Sequence, residues 1–261
     1  MIVCRSSAEL ERMREAGRLV GEVLTELASR VAPGVTTADL DALAEERITA
    51  AGATPAFKGY HGYPATICAS LNDEVIHGIP SRTRTLKEGD IVSLDVGAEL
   101  DGYYGDSAIT VPVGRVSDEA ATLLRVTDEA LYKAIEQARP GHRISDIGHA
   151  VQAHVEAHGF SVVREFVGHG IGQRMHEEPQ VPNYGEPGRG PRLAEGMVLA
   201  IEPMVNAGRA AVKVLADGWT AVTRDRSLSA HFEHTVAVTA GEPWILTARE
   251  IPVAAKKSSA R

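Results

Sequence analysis

Cysteine is nearly missing from this chain: Cys4 and Cys68 are the only two in 261 residues. That excludes a disulfide framework and favours a reducing compartment, so the expected address is the cytoplasm. Long apolar runs are missing too, and nothing approaches the ~20 residues that cross a bilayer. The opening segment MIVCRSSAELERMREAGRLVGEVL is charged and amphipathic, without an apolar signal core. Positive charge is in deficit: 27 Lys and Arg against 35 Asp and Glu leave a net charge of −8. A nucleic-acid footprint on the scale of the whole chain is therefore excluded, and neither DNA nor a membrane is an expected partner. There is no low-complexity linker. The length suffices for one large core or two tightly joined halves.

What is present is an internal repeat. Pro33-Gly34 opens PGVTTADLDALAEERITAAG and Pro140-Gly141 opens PGHRISDIGHAVQAHVEAHG. Asp39 matches Asp146, Leu40 matches Ile147 and Gly52 matches Gly159 at one constant offset. The same offset relates Leu86-Lys87-Glu88-Gly89, which precedes IVSLD, to Leu193-Ala194-Glu195-Gly196, which precedes VLAIE. The period is too long for a solenoid. Two half-domains, about 1–115 and 116–250, are expected around an approximate two-fold axis in one catalytic domain (1–250), followed by a frayed basic tail at 251–261.

The hydrophobic pattern fills in the elements. Ser6-Ser7-Ala8-Glu9 reads as a capping box opening a helix to about Arg30. Further helices are expected over Thr37–Ala51, Ser117–Ala138 and Ser145–Ala157. Strand-like runs lie at Ala65–Ala69, Ile91–Val96, Tyr103–Val111, Met197–Ile201, Trp219–Thr223 and Phe232–Val238. Strands beside pairs of helices, in two copies, indicate an α+β fold with a curved, mostly antiparallel sheet.

Five residues in or beside these strands carry the chemistry: Asp95, Asp106, His169, Glu202 and Glu233. Asp95 and Glu202 are equivalent positions of the repeat. Asp101-Gly102 is a type I′ turn signal. Centring a hairpin there sets Asp106 opposite Gly97 and Asp95 opposite Ala108, so the two carboxylates become diagonal neighbours on one face. Glu202 ends an apolar strand before Pro203. In HFEHTVAV, His231, Glu233 and Thr235 share one face and Phe232, His234 and Val236 the other. Glycines 168, 170 and 172 around His169 permit close backbone approach. Taken singly, each residue has an ordinary reading: a turn aspartate, a solvated edge glutamate, a hydrogen-bonded structural histidine. Taken together, four carboxylates on one buried face repel and desolvate at a cost of several kcal/mol each. Two divalent cations resolve that, and the imidazole favours metals accepting mixed oxygen and nitrogen ligation. Such a centre supports hydrolysis, by activating water and clamping a carbonyl.

The segments GYHGYPATICASLNDEVIHGIP (59–80), SLDVGAELDGYYGDSA (93–108), VGHGIGQRMHEEPQVPNYG (167–185), EGMVLAIEPM (195–204) and SAHFEHTVAV (229–238) resemble type I methionine aminopeptidases. The match runs from the first helix to about residue 250. The resemblance implies a pita-bread fold, with helices on the outer face of the curved sheet. It also implies removal of the initiator methionine from nascent proteins whose second residue is small, by a metal-bound hydroxide. It implies that Asp95, Asp106, His169, Glu202 and Glu233 ligate two divalent ions (Co, Fe, Mn or Zn), with Asp106 and Glu233 bridging. Glu202 also transfers a proton, His77 meets the scissile peptide, and His176 polarises the carbonyl. Tyr60, Tyr63, Cys68, Met175 and Trp219 line the methionine pocket, with Phe57 beside them and sulfur–aromatic contacts suiting a thioether. Some bacterial members carry Cys at the position of Phe57 and Phe at that of Met175. Asn72 and Ser229 fall where the family can hold a monovalent cation.

Three expectations complete the reading. Type II relatives carry a large insertion between the last two ligands, which the short Glu202–Glu233 spacing excludes, so the short, bacterial-like form is expected. The rivals are an Xaa-Pro aminopeptidase or prolidase of the same fold, usually bearing an extra N-terminal domain, and a non-catalytic binding module, which would have lost ligands. Partners are nascent N-termini and, through Arg82, Arg84 and Lys87 or Arg12, Arg14 and Arg18, a transient ribosome contact; a monomer is the default.

Overall fold

A computed structural model describes residues 1–249, and the tail at 251–261 expected to fray lies outside the described residues. Helix α1, Ser7–Arg30, starts with the expected box: the Glu9 amide donates to Ser6 Oγ while Glu9 accepts from the Ser6 amide at 2.8 Å. Its apolar stripe, including Met13, Val20, Leu24 and Leu27, is buried. It lies directly on the hairpin Ile91–Leu100/Tyr103–Pro112, so closely that a Cβ on Gly105 would come within 2.8 Å of the Gly17 amide nitrogen.

Helix α2, Thr37–Ala50, and helix α4, Ile144–Ala157, are repeat equivalents with identical bounds at the sequence offset. Each is entered through a glycine of nearly the same φ, 95° at Gly34 and 93° at Gly141. Each entry is also tied by an isolated antiparallel bridge, Thr36 to Thr85 and Arg143 to Arg192. Helix α4 begins one residue before the expected Ser145, because Asp146 accepts from the Arg143 amide at 2.7 Å and caps the turn there. Helix α3, Asp118–Ile135, stops short of the expected Ala138. Its last turn tightens, with the Gln137 and Ala138 amides bonding three residues back ahead of Pro140.

All strand pairings among the described residues are antiparallel. In the first half the long hairpin is flanked by Ile67–Leu71 and Thr54–Pro55. In the second, Val198–Ile201 lies between Gly168–Gly170 and His234–Ala237. The strand expected over Phe232–Val238 spans only His234–Ala237, and a break at Phe232-Glu233 separates it from a preceding strand, Ser229–His231. A matching break at Glu202-Pro203 divides Val198–Ile201 from Met204–Asn206. The breaks face each other, since Ile201 pairs with His234 and Met204 with His231. Proline lacks the amide that would continue the ladder. Both strands therefore pass together from one sheet to the next, and a glutamate is left at each crossing. One apolar core runs through both halves, from Leu24 and Leu94 to Leu123 and Val236.

Candidate metal centre and active site

The hairpin register is the one the turn predicts: Asp95 opposite Ala108 and Asp106 opposite Gly97. Asp101 and Gly102 both take positive φ, 51° and 80°, as a type I′ turn requires. The crossing brings Glu233 onto the same ribbon, its amide donating to Ala108 O at 2.9 Å. His169 arrives from Gly168–Gly170. Its Nε2 lies 3.8 Å from Asp106 Oδ2 and 3.7 Å from Glu202 Oε1. Ligand atoms of Asp106, His169 and Glu233 all fall within 4.8 Å of one another. His169 Nδ1 donates to Gly170 O at 2.9 Å, which leaves the Nε2 lone pair facing the carboxylates.

The electrostatics of this cluster are unfavourable without counter-charge. Burial pushes Asp95 up to about 7 and Glu202 up to about 8. Burial, reinforced by the neighbouring acids, raises Asp106 and Glu233 well above the ordinary carboxylate range. Burial also depresses His169 to about 3 and His77 to about 4, so both imidazoles are neutral at pH 7. Asp95 Oδ1, Asp106 Oδ1 and Glu233 Oε1 are buried without a hydrogen-bond partner. Three orphaned carboxylate oxygens beside a pre-set imidazole fit a hard-to-borderline divalent pair, in donor chemistry and in charge.

The predicted substrate residues divide into two groups. Tyr63, Cys68 and Trp219 share a small apolar cluster with Phe57. The Tyr63 and Trp219 rings meet edge to face at 5.1 Å, and Cys68 pairs across the strands with Asp95. The Tyr63 hydroxyl is tied down by Ile67 O and Gly78 O. Met175 belongs to a neighbouring cluster with Met13 and Ile171, joined to the first through Phe57. Tyr60 does more than line a wall: its hydroxyl bonds His176 Nδ1 at 2.9 Å, and the two rings stack. The His176 ring lies 4.2 Å from that of His169. His77 sits edge-on to Phe166 and Trp219 in a left-handed conformation, φ 59°, a strain seen mostly where function demands it.

Asn72 and Ser229 are adjacent, the Ser229 amide donating to Asn72 O at 2.8 Å. Their side-chain oxygens are already engaged, by the Ile91 amide and by Asn206 respectively. The basic surface clusters are partly neutralised. Arg84 pairs with Glu74, Arg18 with Glu15 and Glu22, and Arg12 and Arg14 lie over Tyr103 and Trp244.

Two functional candidates escaped the sequence reading. His231 is buried, and its Nε2 lies 3.5 Å from Glu202 Oε2. The alternation that put it on the face of Glu233 was the available signal. Arg249 is the other. Its guanidinium donates to Ser107 Oγ, Glu233 O and Ala108 O, and contacts His234 Nδ1, beneath the carboxylates. Nothing local in the sequence marks it.

An antiparallel, internally repeated fold enclosing a buried Asp-Asp-His-Glu-Glu cluster defines a metallohydrolase. The profile of metallopeptidase family M24 matches residues 11–240, and the chain belongs to that family. Within it, the chain is similar to proteins named methionine aminopeptidase. One, from Clostridium acetobutylicum, is 56% identical over 95% of this chain and 99% of the relative. Another, methionine aminopeptidase 1 of Bacillus subtilis, is 57% identical over 92% and 96%. The crystal structure of the Thermotoga maritima methionine aminopeptidase superposes with a TM-score of 0.94 at 48% identity, over 96% of this chain and 100% of that one. The fold is the pita-bread fold. The prolidase of Pyrococcus horikoshii shares it at a TM-score of 0.77 and 24% identity, but only 65% of that chain is covered.

Proposed function

We propose that this chain hydrolyses the N-terminal methionine from nascent polypeptides whose second residue is small. The observation that carries the reading is the convergence of Asp95, Asp106, His169, Glu202 and Glu233 on one buried face, in a chain similar over nearly its full length to methionine aminopeptidases. These five would hold two divalent ions, Co, Fe, Mn or Zn. When bound, the ions supply Lewis acidity that makes water nucleophilic near neutral pH and polarises the scissile carbonyl.

The side chains do the rest. Glu202 lies between His169 Nε2 and His231 Nε2, placed to take a proton from water and return it to the leaving amine. With Tyr60 OH donating to His176 Nδ1, the proton of the neutral imidazole sits on Nε2, free to donate to the developing oxyanion. His77, neutral and held at positive φ, presents a second imidazole toward the peptide. Tyr63, Cys68, Trp219 and Phe57 form the apolar, sulfur-tolerant wall for methionine, and Met175 backs Phe57.

The two free thiols fit the reducing cytoplasm, and among the described residues no helix is long and apolar enough to cross a membrane. A transient ribosome contact would fall to Arg82 and Lys87, beside the paired Arg84. Unchanged co-sedimentation after reversing both to Glu would remove it. The deciding assay is hydrolysis of Met-Ala-Ser against Ala-Pro peptides by protein reconstituted with Mn2+ or Co2+, with metal content measured on the same sample. Cleavage of the first alone is expected. Cleavage of Ala-Pro alone would make the chain a proline-specific peptidase, and no turnover at full metal loading would make it a binding module.

A further inference from the structure

A second donor set lies outside the carboxylate floor, on the hairpin of α3 and α4. Glu129 comes from α3, while His154 and His158 stand one turn apart at the end of α4. One ligand atom from each lies within 4.8 Å of the other two. The imidazoles are tilted against each other with centroids 4.6 Å apart. His154 Nε2 is 3.0 Å from Glu129 Oε2, and its side chain is only 13% exposed.

The tautomer of His158 is set. His158 Nδ1 donates to the His154 carbonyl at 2.8 Å, so its Nε2 carries the free lone pair. This is the device that prepares His169 in the catalytic centre, an Nδ1–H spent on a backbone carbonyl. Burial lowers the pKa of His154, keeping it neutral at pH 7. Burial raises Glu129, but hydrogen bonds from Arg125 and His154 outweigh it and hold the carboxyl ionised. Arg125 occupies only Glu129 Oε1, at 2.8 Å, which leaves Oε2 on the histidine side. An open groove lined by Lys133, Gln137, Ala150 and Ala157 runs up to His154, giving an ion a path from solvent.

We propose that Glu129, His154 and His158 form a separate mononuclear site for a borderline divalent cation, best matched by Zn2+. Zinc takes imidazole and carboxylate at ~2.0–2.2 Å in a tetrahedron, which sets donors about 3.3 Å apart and leaves a fourth position to water. Donors up to 4.8 Å apart need close by at most about 1.5 Å, and two of the three side chains sit at the rim where they can move. The ion takes the place of the proton that His154 Nε2 donates to Glu129 Oε2, and that proton passes to Nδ1, so the imidazole stays neutral while Nε2 ligates. Bound, it clips α3 to α4 and stabilises the folded state by mass action.

The test is equilibrium dialysis of the full chain against about 10 µM free Zn2+, as wild type and as His154→Gln/His158→Gln, with zinc counted per protein. None of the three residues belongs to the catalytic centre, so peptidase activity of the variant should match wild type and certify its fold. The variant should bind one equivalent fewer, whatever the occupancy of the floor, and Glu129→Gln should weaken that equivalent about tenfold. In a second readout, Zn2+ added to Mn2+-loaded protein should raise Tm of the wild type but not of His158→Gln. Equal zinc in wild type and variant, or a difference that appears only above about 100 µM Zn2+, would overturn the site and reduce the trio to a surface hydrogen-bond cluster.

Discussion

Stripped of metal, the protein should lose stability as pH rises from 7.5 to 9, and metal should abolish the loss. In the unfolded chain the site carboxylates ionise near pH 4. In the fold Asp95 is pushed up to about 7 and Glu202 to about 8, and Asp106 and Glu233 lie well above their ordinary range. A raised folded pKa means that the native state binds the extra protons. The stability they confer is present at low pH and drains away as pH climbs through the folded values. The buried histidines act in the opposite sense. His77 at about 4 and His169 at about 3 are depressed, so their contribution grows with pH and is complete above the unfolded value near 6.5. The two effects compete below pH 7, but above 7.5 the histidines are neutral in both states and the carboxylates decide. At about 1.4 kcal/mol per proton per pH unit, Glu202 withdraws somewhat under ~1 kcal/mol over that interval. Asp106 and Glu233, raised well above the ordinary carboxylate range by burial and by their neighbouring acids, act in the same sense. The loss, at least that of Glu202, is a measurable share of a typical folding free energy and lowers Tm by about 2 °C or more. Calorimetry at pH 7.5 and 9, in chelator and with saturating Mn2+, reads it directly. Any effect common to both arms cancels. A chelated sample whose Tm stays flat or rises, or a loaded sample that falls equally, would refute the electrostatic account of the centre.

Asp106→Asn should abolish one metal equivalent and cut kcat by more than the ~10–100-fold that loss of an outer partner costs, yet raise the Tm of the chelated protein at pH 9 by removing a buried acid; titration calorimetry and thermal melts check the two halves. Arg249→Met should destabilise by about 3 kcal/mol or more, because Glu233 O, Ala108 O and Ser107 lose a charged donor, and should weaken metal binding, measured by denaturant midpoint and metal Kd. His231→Leu should lower kcat about tenfold or more with KM and metal content nearly unchanged, whereas His231→Gln, which keeps a polar group facing Glu202 Oε2, should recover most of the loss; equal kcat in both variants would show that His231 only fills space.

Much of this was legible because it is local or periodic. The hairpin register followed from one dipeptide, since a two-residue turn fixes every cross-strand pair. The repeat survived into the backbone because each copy needs the same helix entry, down to the φ of Gly34 and Gly141. What was not legible is set by contacts between distant segments. The strand read over Phe232–Val238 starts only at His234, and only the facing Glu202-Pro203 break, on a strand far away in sequence, explains why. Tyr60 reads as a half-buried aromatic until His176 arrives against its hydroxyl. Arg249 carries no periodic signal, and its role exists only once the hairpin and Glu233 lie against it.

These non-local features share a cause. Four acids on one face push their strands apart, so the backbone that carries them must be held by groups other than the acids. Glu233 is anchored through its main chain, by its amide to Ala108 O and its carbonyl to Ser107 and Arg249. Asp106 is anchored the same way, its amide and carbonyl both bonded to Thr235. One oxygen each of Asp95, Asp106 and Glu233 is left unbonded, and satisfying it from the protein would quench its affinity for cations. The geometry is stored in backbone hydrogen bonds and a buried guanidinium, while the charge is left open for metal. A residue that tightened the floor by bonding Asp106 Oδ1 should therefore stabilise the metal-free fold and lose the centre, a trade-off common where function rests on a strained site.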